Sequence, residues 1–499
     1  LKLARNLLAR SGVILISIDE HEFANLRKLT DEIFGEENFV AELVWEKTRK
    51  NDAKLFSVGH EYIIVYAREL QHLKEIKTVW REPKPGAAEI IGQWHQLKAL
   101  HGRNFDEMEK DLREWYKSLP NTHPSKKLSR YKHVDERGPW RDRDISWPGG
   151  GGPRYDVSHP VTGEPCKVPE RGWTFGTIEA MRRQIDLGLV VFREDHTKPP
   201  FCKAHLLPVL EEELALEAQD VDSDDDGGAA GLQVMPSVIY KQSQVATKYL
   251  REIMGKKIFD NPKDHEVLAR IIRYVSPNDG LVLDFFAGSC STAESVLRLN
   301  QEDGGKRRFV VIQLPEQLDP TKDEQLPGYD FCSSIGAPAN VAEIGKERVR
   351  RVARLIAASN GESIPPGPEP AQEALWRDTG FKVFKLDASN FQLWDADSGN
   401  LERALLDAVE IIKSARTELD ILYELLLKYG LDLAVPIEER EIVGTTVYVV
   451  GAGALIVCLA DGVTLEVAEG IAALKSELRP EITRVVFKDA GFANDVVKT

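Results

Sequence analysis

The run 281–292, Leu-Val-Leu-Asp-Phe-Phe-Ala-Gly-Ser-Cys-Ser-Thr, constrains the fold of this chain more than any other stretch. Three apolar residues lead into an acid, then a tight turn of small residues, then the helical pattern of 293–299. This order predicts a buried strand, a glycine-containing turn and a helix start, the corner of an α/β domain. Small side chains at such a corner let a ligand approach the backbone, and the first N–H groups of the helix face it. Many α/β domains carry such a corner without a ligand, so the flanking sequence has to decide.

The surroundings agree with an α/β reading. An amphipathic helix is predicted over 1–10, stopped at Gly12. The apolar run 13–18 reads as a strand buried on both faces. A helix over 20–34 places Phe23, Leu26, Leu29 and Ile33 on one side, and 62–66 is a further strand. After a break in character, the pattern resumes with a helix at 266–274, the strand 281–283, the helix after Ser289, a strand at 309–314 and a helix at 341–357. From residue 380 onward the pattern is that of a small α+β domain. It has a helix ending at Gly430, strands at 446–450 and 454–459, a helix at 465–477 and a strand at 484–487.

Between about 70 and 210 the composition changes. Tryptophans and tyrosines alternate with Arg, Lys, Pro and Gly, and 125–143 holds seven basic residues against three acidic ones. Gly149 to Gly152 reads as a flexible loop. The acidic stretches 211–213 and 220–228 read as a solvated linker, and the proline-rich 365–370 as a second one. The net charge of −15 excludes a uniformly basic nucleic-acid coat but not a local basic face. The five cysteines are scattered without metal-ligand spacing and read as reduced thiols of a cytoplasmic protein. No stretch approaches the roughly 18 apolar residues of a membrane span.

Asp284-Phe285-Phe286-Ala287-Gly288-Ser289 resembles the S-adenosylmethionine-binding turn of amino-methylating DNA methyltransferases. Phe259-Asp260-Asn261-Pro262-Lys263 looks like the segment that precedes this turn in the β class of adenine-N6 enzymes. The stretches 12–19, 299–316 and 420–430 resemble the modification (Mod) subunit of type III restriction–modification systems, in the family's order and across nearly the whole chain. The resemblance implies an S-adenosylmethionine-dependent methyltransferase fold, a doubly wound sheet split by an inserted DNA-recognition domain. The expected parts are 1–69 and 235–360 for the methyltransferase, 70–234 for the insert with its acidic linker, 361–379 for a linker and 380–499 for the tail.

For the cofactor, the resemblance implies contacts from Asn261, Pro262 and Lys263 near the amino-acid end. The turn would contribute Asp284, Phe285, Phe286, Ala287, Gly288, Ser289 and Thr292. The ribose carboxylate usual at the end of the second strand aligns with Gln313, an amide, with Glu316 three residues later. Cys290 stands where many relatives have a second glycine, a substitution tolerable at negative φ. Ser291 and Thr292 are placed to cap the helix or reach the ligand. In the insert, Lys126, Lys127, Arg130, Lys132, Arg141 and Arg143 are candidates for phosphate and guanine contacts. Its aromatics either stack on unpaired bases or pack the insert. His60 and His159 read as hydrogen-bonded structural residues.

The family's catalytic motif, an acidic or Asn residue followed by Pro-Pro and an aromatic, is not among these 499 residues. In the family that motif accepts the N6 hydrogens and stacks on the flipped adenine. Thr197-Lys198-Pro199-Pro200-Phe201 shares the prolines but has Lys in place of the acceptor. The expectation is that the motif belongs just upstream of Leu1 and that the chain alone does not methylate. Double-stranded DNA, a second Mod copy and a helicase–nuclease (Res) subunit are the implied partners, with no membrane. A competing reading is a DNA-binding specificity subunit that keeps the cofactor fold without chemistry. A third, an RNA or protein methyltransferase, fits the large aromatic and basic insert less well.

Overall fold

The computed structural model describes residues 1–47, 55–207, 231–359, 379–391, 412, 413 and 415–499. The acidic stretches 211–213 and 220–228 and the proline-rich 365–370 lie outside the described residues. The chain is a mixed α/β structure with several sheets, divided into two compact units, Leu1–Thr379 and Gly380–Thr499.

In the first unit, β1 (Val13–Ile18), β2 (Phe39–Glu46), β3 (His60–Ala67) and β4 (Val238–Tyr240) form one sheet in the order β1-β3-β2-β4. β4 runs parallel to β2, and the other pairs are antiparallel. β1 is not buried on both faces as its apolar run suggests; Ile14 is its only buried residue. Among the described residues it pairs with β3 alone, so it is an edge, and an apolar run is no proof of a central strand. The helix Phe23–Phe34 covers it with Phe23, Leu26 and Ile33, whereas Leu29 points outward.

Helix α1 (His265–Val275) is the element on which the site is built. Asp264 caps its start, accepting the Glu266 and Val267 amides at 3.0 and 3.1 Å. One side sends Val267 and Ile271 into a core with Trp45, Ile63 and Val65 of the first sheet. Its other side packs Ala269 and Ile272 against Val282, Val296, Leu299 and Phe309. The latter belong to a β-α-β crossover of β5 (Leu281–Asp284), α2 (Ser291–Asp303) and β6 (Arg308–Val311). β5 and β6 pair in parallel from Leu281↔Arg308 to Asp284↔Val311. The expected buried strand is therefore covered on one face only. Val282 and Phe309 point into the core, while Leu281, Leu283 and Val310 are exposed, because among the described residues the helices pack on one face of this sheet only. The helix α3 (Val341–Ser359) closes this part of the unit against α2.

The stretch between β3 and β4 builds cores of its own. Helices Ala87–His101 and Phe105–Ser118 pack around Met108, Leu112 and Tyr131. The strands His133–Asp135, Gly138–Arg143, Phe201–His205 and Val190–Val191 form a sheet in that order, and a second cluster centres on Trp173. Trp94, Trp140 and Trp173 are buried, so these aromatics pack the segment. His60 meets the Tyr62 hydroxyl at 2.9 Å, and His159 meets the Arg193 carbonyl at 3.0 Å, as structural histidines do.

The second unit has a four-stranded sheet of Ile437–Ile442, Thr445–Val450, Leu455–Cys458 and Arg484–Phe487, in chain order. Helix Glu418–Tyr429 packs on Tyr448 and Val450, and helix Leu465–Leu478 on Val447 and Val449. The alternation of one strand thus supplies both faces. Arg416 precedes the helix Glu418–Tyr429 and pairs with Asp387 at 2.9 Å, while Asp420 closes a capping box with Thr417. No helix among the described residues is long and apolar enough to cross a membrane.

Candidate functional site

The turn between β5 and α2 is fixed by its own side chains. Asp284 uses both carboxylate oxygens: one accepts the Phe286 amide at 3.0 Å, the other the Thr292 hydroxyl at 2.6 Å. Gln313, just past β6, accepts the Gly288 amide at 2.7 Å through its side-chain oxygen. The Ala287 amide reaches the Ile312 carbonyl at 3.1 Å, and the Ile312 amide the Asp284 carbonyl at 2.8 Å. Asp284, Gln313 and Thr292 therefore hold the turn in shape. Thr292 does not cap the helix, and neither does Ser291, whose hydroxyl donates to the Lys263 carbonyl at 2.9 Å.

Gly288 has φ +51°, and a Cβ there would meet only the Phe259 ring edge at 3.6 Å. Glycine takes this backbone angle without strain and leaves the backbone beside it open. Cys290 also lies in the left-handed region, at φ +59°, contrary to the expectation of a negative angle. A non-glycine residue there costs roughly 1–3 kcal/mol and persists only where the surroundings impose it. Its thiol is buried and pushed up to about 11 by burial, so it is an inert group in the packing. Phe285 is partly buried against the exposed Phe286, and Ile312 and Leu314 are exposed just beyond β6. Apolar surface thus lies just past the carboxyl ends of both strands. Glu316 is exposed, and its carbonyl accepts the Val341 amide at 3.1 Å.

The segment before α1 brings further groups. Asn261 is exposed at φ +50°, a conformation Asn tolerates, and Pro262 is buried. Lys263 pairs with Glu61 of β3, whose other oxygen accepts Lys47 at 2.5 Å. Both ammonium groups lie over the Trp45 ring, at 4.7 and 5.7 Å from its centroid. Burial and the neighbouring Lys263 pull Lys47 down to about 8. Two cations on one carboxylate make a mixed-charge cluster with a net positive charge, tied to the turn through the Lys263–Ser291 hydrogen bond. Lys47 and Glu61 were not among the sequence candidates. The Trp-Glu-Lys of 45–47 and the His-Glu of 60–61 carry no spacing that joins them before the strands pair.

Beneath the turn lies a buried ion pair. Glu294 of α2 is fully buried and accepts Arg348 Nε at 2.7 Å, Arg298 Nε at 2.8 Å and the Tyr249 hydroxyl. Burial alone would push the Glu294 carboxyl up, but Arg348 and the other donors outweigh it and hold it below its ordinary value.

The six basic candidates of the middle segment divide. Lys127 and Lys132 are exposed, while Lys126 donates to the Tyr116 carbonyl at 2.5 Å. Arg130 and Arg141 flank the buried Tyr131 ring, at 5.5 and 5.9 Å, and Arg143 lies partly buried on the strand Gly138–Arg143. The structure brings Arg130 and Arg141 together as packing around one ring. Among the described residues no group of His, Cys, Asp and Glu has the arrangement of a metal site.

A family model described as DNA methylase matches residues 1–337. The chain is 30% identical to the type III restriction-modification enzyme EcoP15I Mod subunit of Escherichia coli over 397 residues, 77% of this chain and 51% of that one. It is 28% identical to the StyLTI Mod subunit of Salmonella typhimurium over 398 residues, 79% of this chain and 48% of that one. The type II methyltransferase M.KpnI of Klebsiella pneumoniae is 26% identical over 343 residues, 66% of this chain and 69% of that one. The chain spans about half the length of the Mod subunits it matches.

Proposed function

The chain belongs to the DNA methylase family, and from that premise we propose that it is the S-adenosylmethionine-binding and DNA-reading part of a type III Mod subunit. The activity of the whole protein is site-specific methyl transfer to adenine N6 in double-stranded DNA. The observation that carries this reading is the locked turn beside a mixed-charge cluster. S-adenosylmethionine ends in a zwitterionic amino acid, and the Lys47–Glu61–Lys263 group offers both signs to it. Gly288 leaves the backbone approachable, and Phe286, Ile312 and Leu314 supply apolar surface for adenine. When bound, the cofactor supplies an activated methyl group. The residues named here bind and orient it.

In this reading the sheets of β1–β4 and β5–β6 are parts of one doubly wound methyltransferase fold, which α1 joins. The segment 70–234 is the inserted recognition domain, and the acidic and proline-rich stretches are linkers. A second Mod copy and a Res helicase–nuclease are its partners. Lys127 and Lys132 are phosphate contacts. Replacing each by Ala is expected to weaken binding about equally on all sequences and to lower the salt slope by about 1 per residue. Fluorescence anisotropy over a salt series reads this, and unchanged slopes would remove both from the DNA footprint.

One observation favours the competing reading for the chain as it stands. Its 499 residues contain neither Asp-Pro-Pro-Tyr nor Asn-Pro-Pro-Tyr. The expected result is saturable S-adenosylmethionine binding in calorimetry, with no tritium transferred from labelled cofactor to duplex DNA. Transfer by this chain alone would show that another group accepts the adenine amine. No binding by the folded chain would overturn the cofactor reading itself.

A further inference from the structure

The Cys290 backbone angle needs an external cause, and it comes from a helix more than fifty residues away in sequence. Gly345 and Arg348 lie three residues apart on α3, hence on one face of it. At Gly345 the helix approaches the turn so closely that a Cβ would stand 2.6 Å from Cys290 Sγ and 3.2 Å from the Gly288 carbonyl. Arg348 is almost fully buried. Its Nη1 donates to the Ser289 carbonyl at 3.2 Å, the Ser289 hydroxyl at 2.8 Å and the Ser291 hydroxyl at 2.7 Å.

We propose that α3 is the template of the cofactor turn, and that Gly345 and Arg348 are positioning residues for S-adenosylmethionine; this rests on the cofactor reading above. A cation beside the start of α2 opposes that helix's dipole, so Arg348 does not serve the helix. Glu294 neutralises it through Nε, leaving Nη1 to bridge Ser289 and Ser291. Lysine at 348 would keep the pairing with Glu294 but not the fixed fork. Gly345 leaves room for the Cys290 thiol, which points at it because that residue is held left-handed. A plain core contact would also be strained by Gly345→Ala, but the cost would appear as lost stability of the whole unit and not as a loosened turn with weaker cofactor binding.

The test is a double-mutant cycle read by calorimetry of S-adenosylmethionine binding and by hydrogen exchange of peptides spanning 284–296. Gly345→Ala is expected to weaken binding at least tenfold and to speed exchange in those peptides while exchange over 60–67 stays unchanged. In a Cys290→Gly background, where the thiol is gone and positive φ is free of strain, the same substitution is expected to cost less than threefold. Arg348→Lys is expected to weaken binding at least tenfold at a temperature where melting curves show the variant still folded. Wild-type affinity and exchange in Gly345→Ala, or an equal loss in both backgrounds, would overturn the template. Wild-type affinity in Arg348→Lys would remove the arginine from it. Should the unaltered chain not bind the cofactor, the functional reading fails. The exchange arm then decides the template alone: faster turn exchange in Gly345→Ala, restored in the Cys290→Gly background, supports it, and unchanged exchange overturns it.

Discussion

Asp284→Ala is expected to abolish measurable S-adenosylmethionine binding while leaving the chain folded. Asp284 holds both ends of the turn, the Phe286 amide on one oxygen and the Thr292 hydroxyl on the other. Hydrogen bonds to a charged acceptor are worth roughly 1.5–3 kcal/mol each. Losing two therefore frees about 3 kcal/mol or more of constraint, which binding would have to restore. At ~1.4 kcal/mol per decade that is a hundredfold or greater loss of affinity. Asp284→Asn separates geometry from charge. Its carbonyl can still accept the Phe286 amide, and its amide can meet the Thr292 hydroxyl, which turns to accept. An intermediate loss of about tenfold follows from weaker neutral bonds. Calorimetry on both variants, with melting curves as the folding control, checks this. An Asp284→Ala chain that binds like the unaltered one would show that the turn keeps its shape without the carboxylate.

What was legible in the sequence followed how local its cause was. The β5–turn–α2 corner could be read because strand, glycine and helix are consecutive, and the second unit's strands because their alternation is their own. The burial of β1 and β5 falls short of what their apolar runs suggest, since such a run reports side-chain chemistry and not how many elements pack around the strand. β2 is not legible in the sequence, because Phe39–Glu46 carries two acids in a run whose role as a strand depends on pairing with β3. The acids and bases of the site were hardest. Lys47, Glu61 and Lys263 come from three separate segments, and Arg348 sits in a stretch, 346–351, that is almost wholly charged and looks like solvent-facing helix. Nothing short of the fold distinguishes the one arginine there that is buried. Cys290 shows the converse case, a residue whose backbone angle is set by packing against its own preference.

The buried carboxylate under the turn carries the other large effect. Glu294→Ala removes the acceptor shared by Arg348, Arg298 and Tyr249 and leaves the Arg348 charge enclosed without its counter-charge. Breaking one side of a buried pair costs about 3–5 kcal/mol. An exposed pair such as Arg440–Glu438 in the second unit would be worth about 1 kcal/mol at most. The expected result is a large fall in the urea midpoint of the first unit, followed through tryptophan fluorescence. pH gives an independent reading of the same group. The folded Glu294 carboxyl lies below its ordinary value of 4.5, so the folded state favours the ionised form. Its contribution is complete above that ordinary value and is lost as pH falls through the lower folded one. Glu294→Gln, which keeps the shape, is therefore expected to flatten the acid limb of the stability profile. An acid limb as steep in Glu294→Gln as in the unaltered chain would mean that other carboxylates govern it. Because Arg348 also holds Ser289 and Ser291, acid loss of the pair should loosen the turn before the unit unfolds. Cofactor affinity would then fall at a higher pH than secondary structure does.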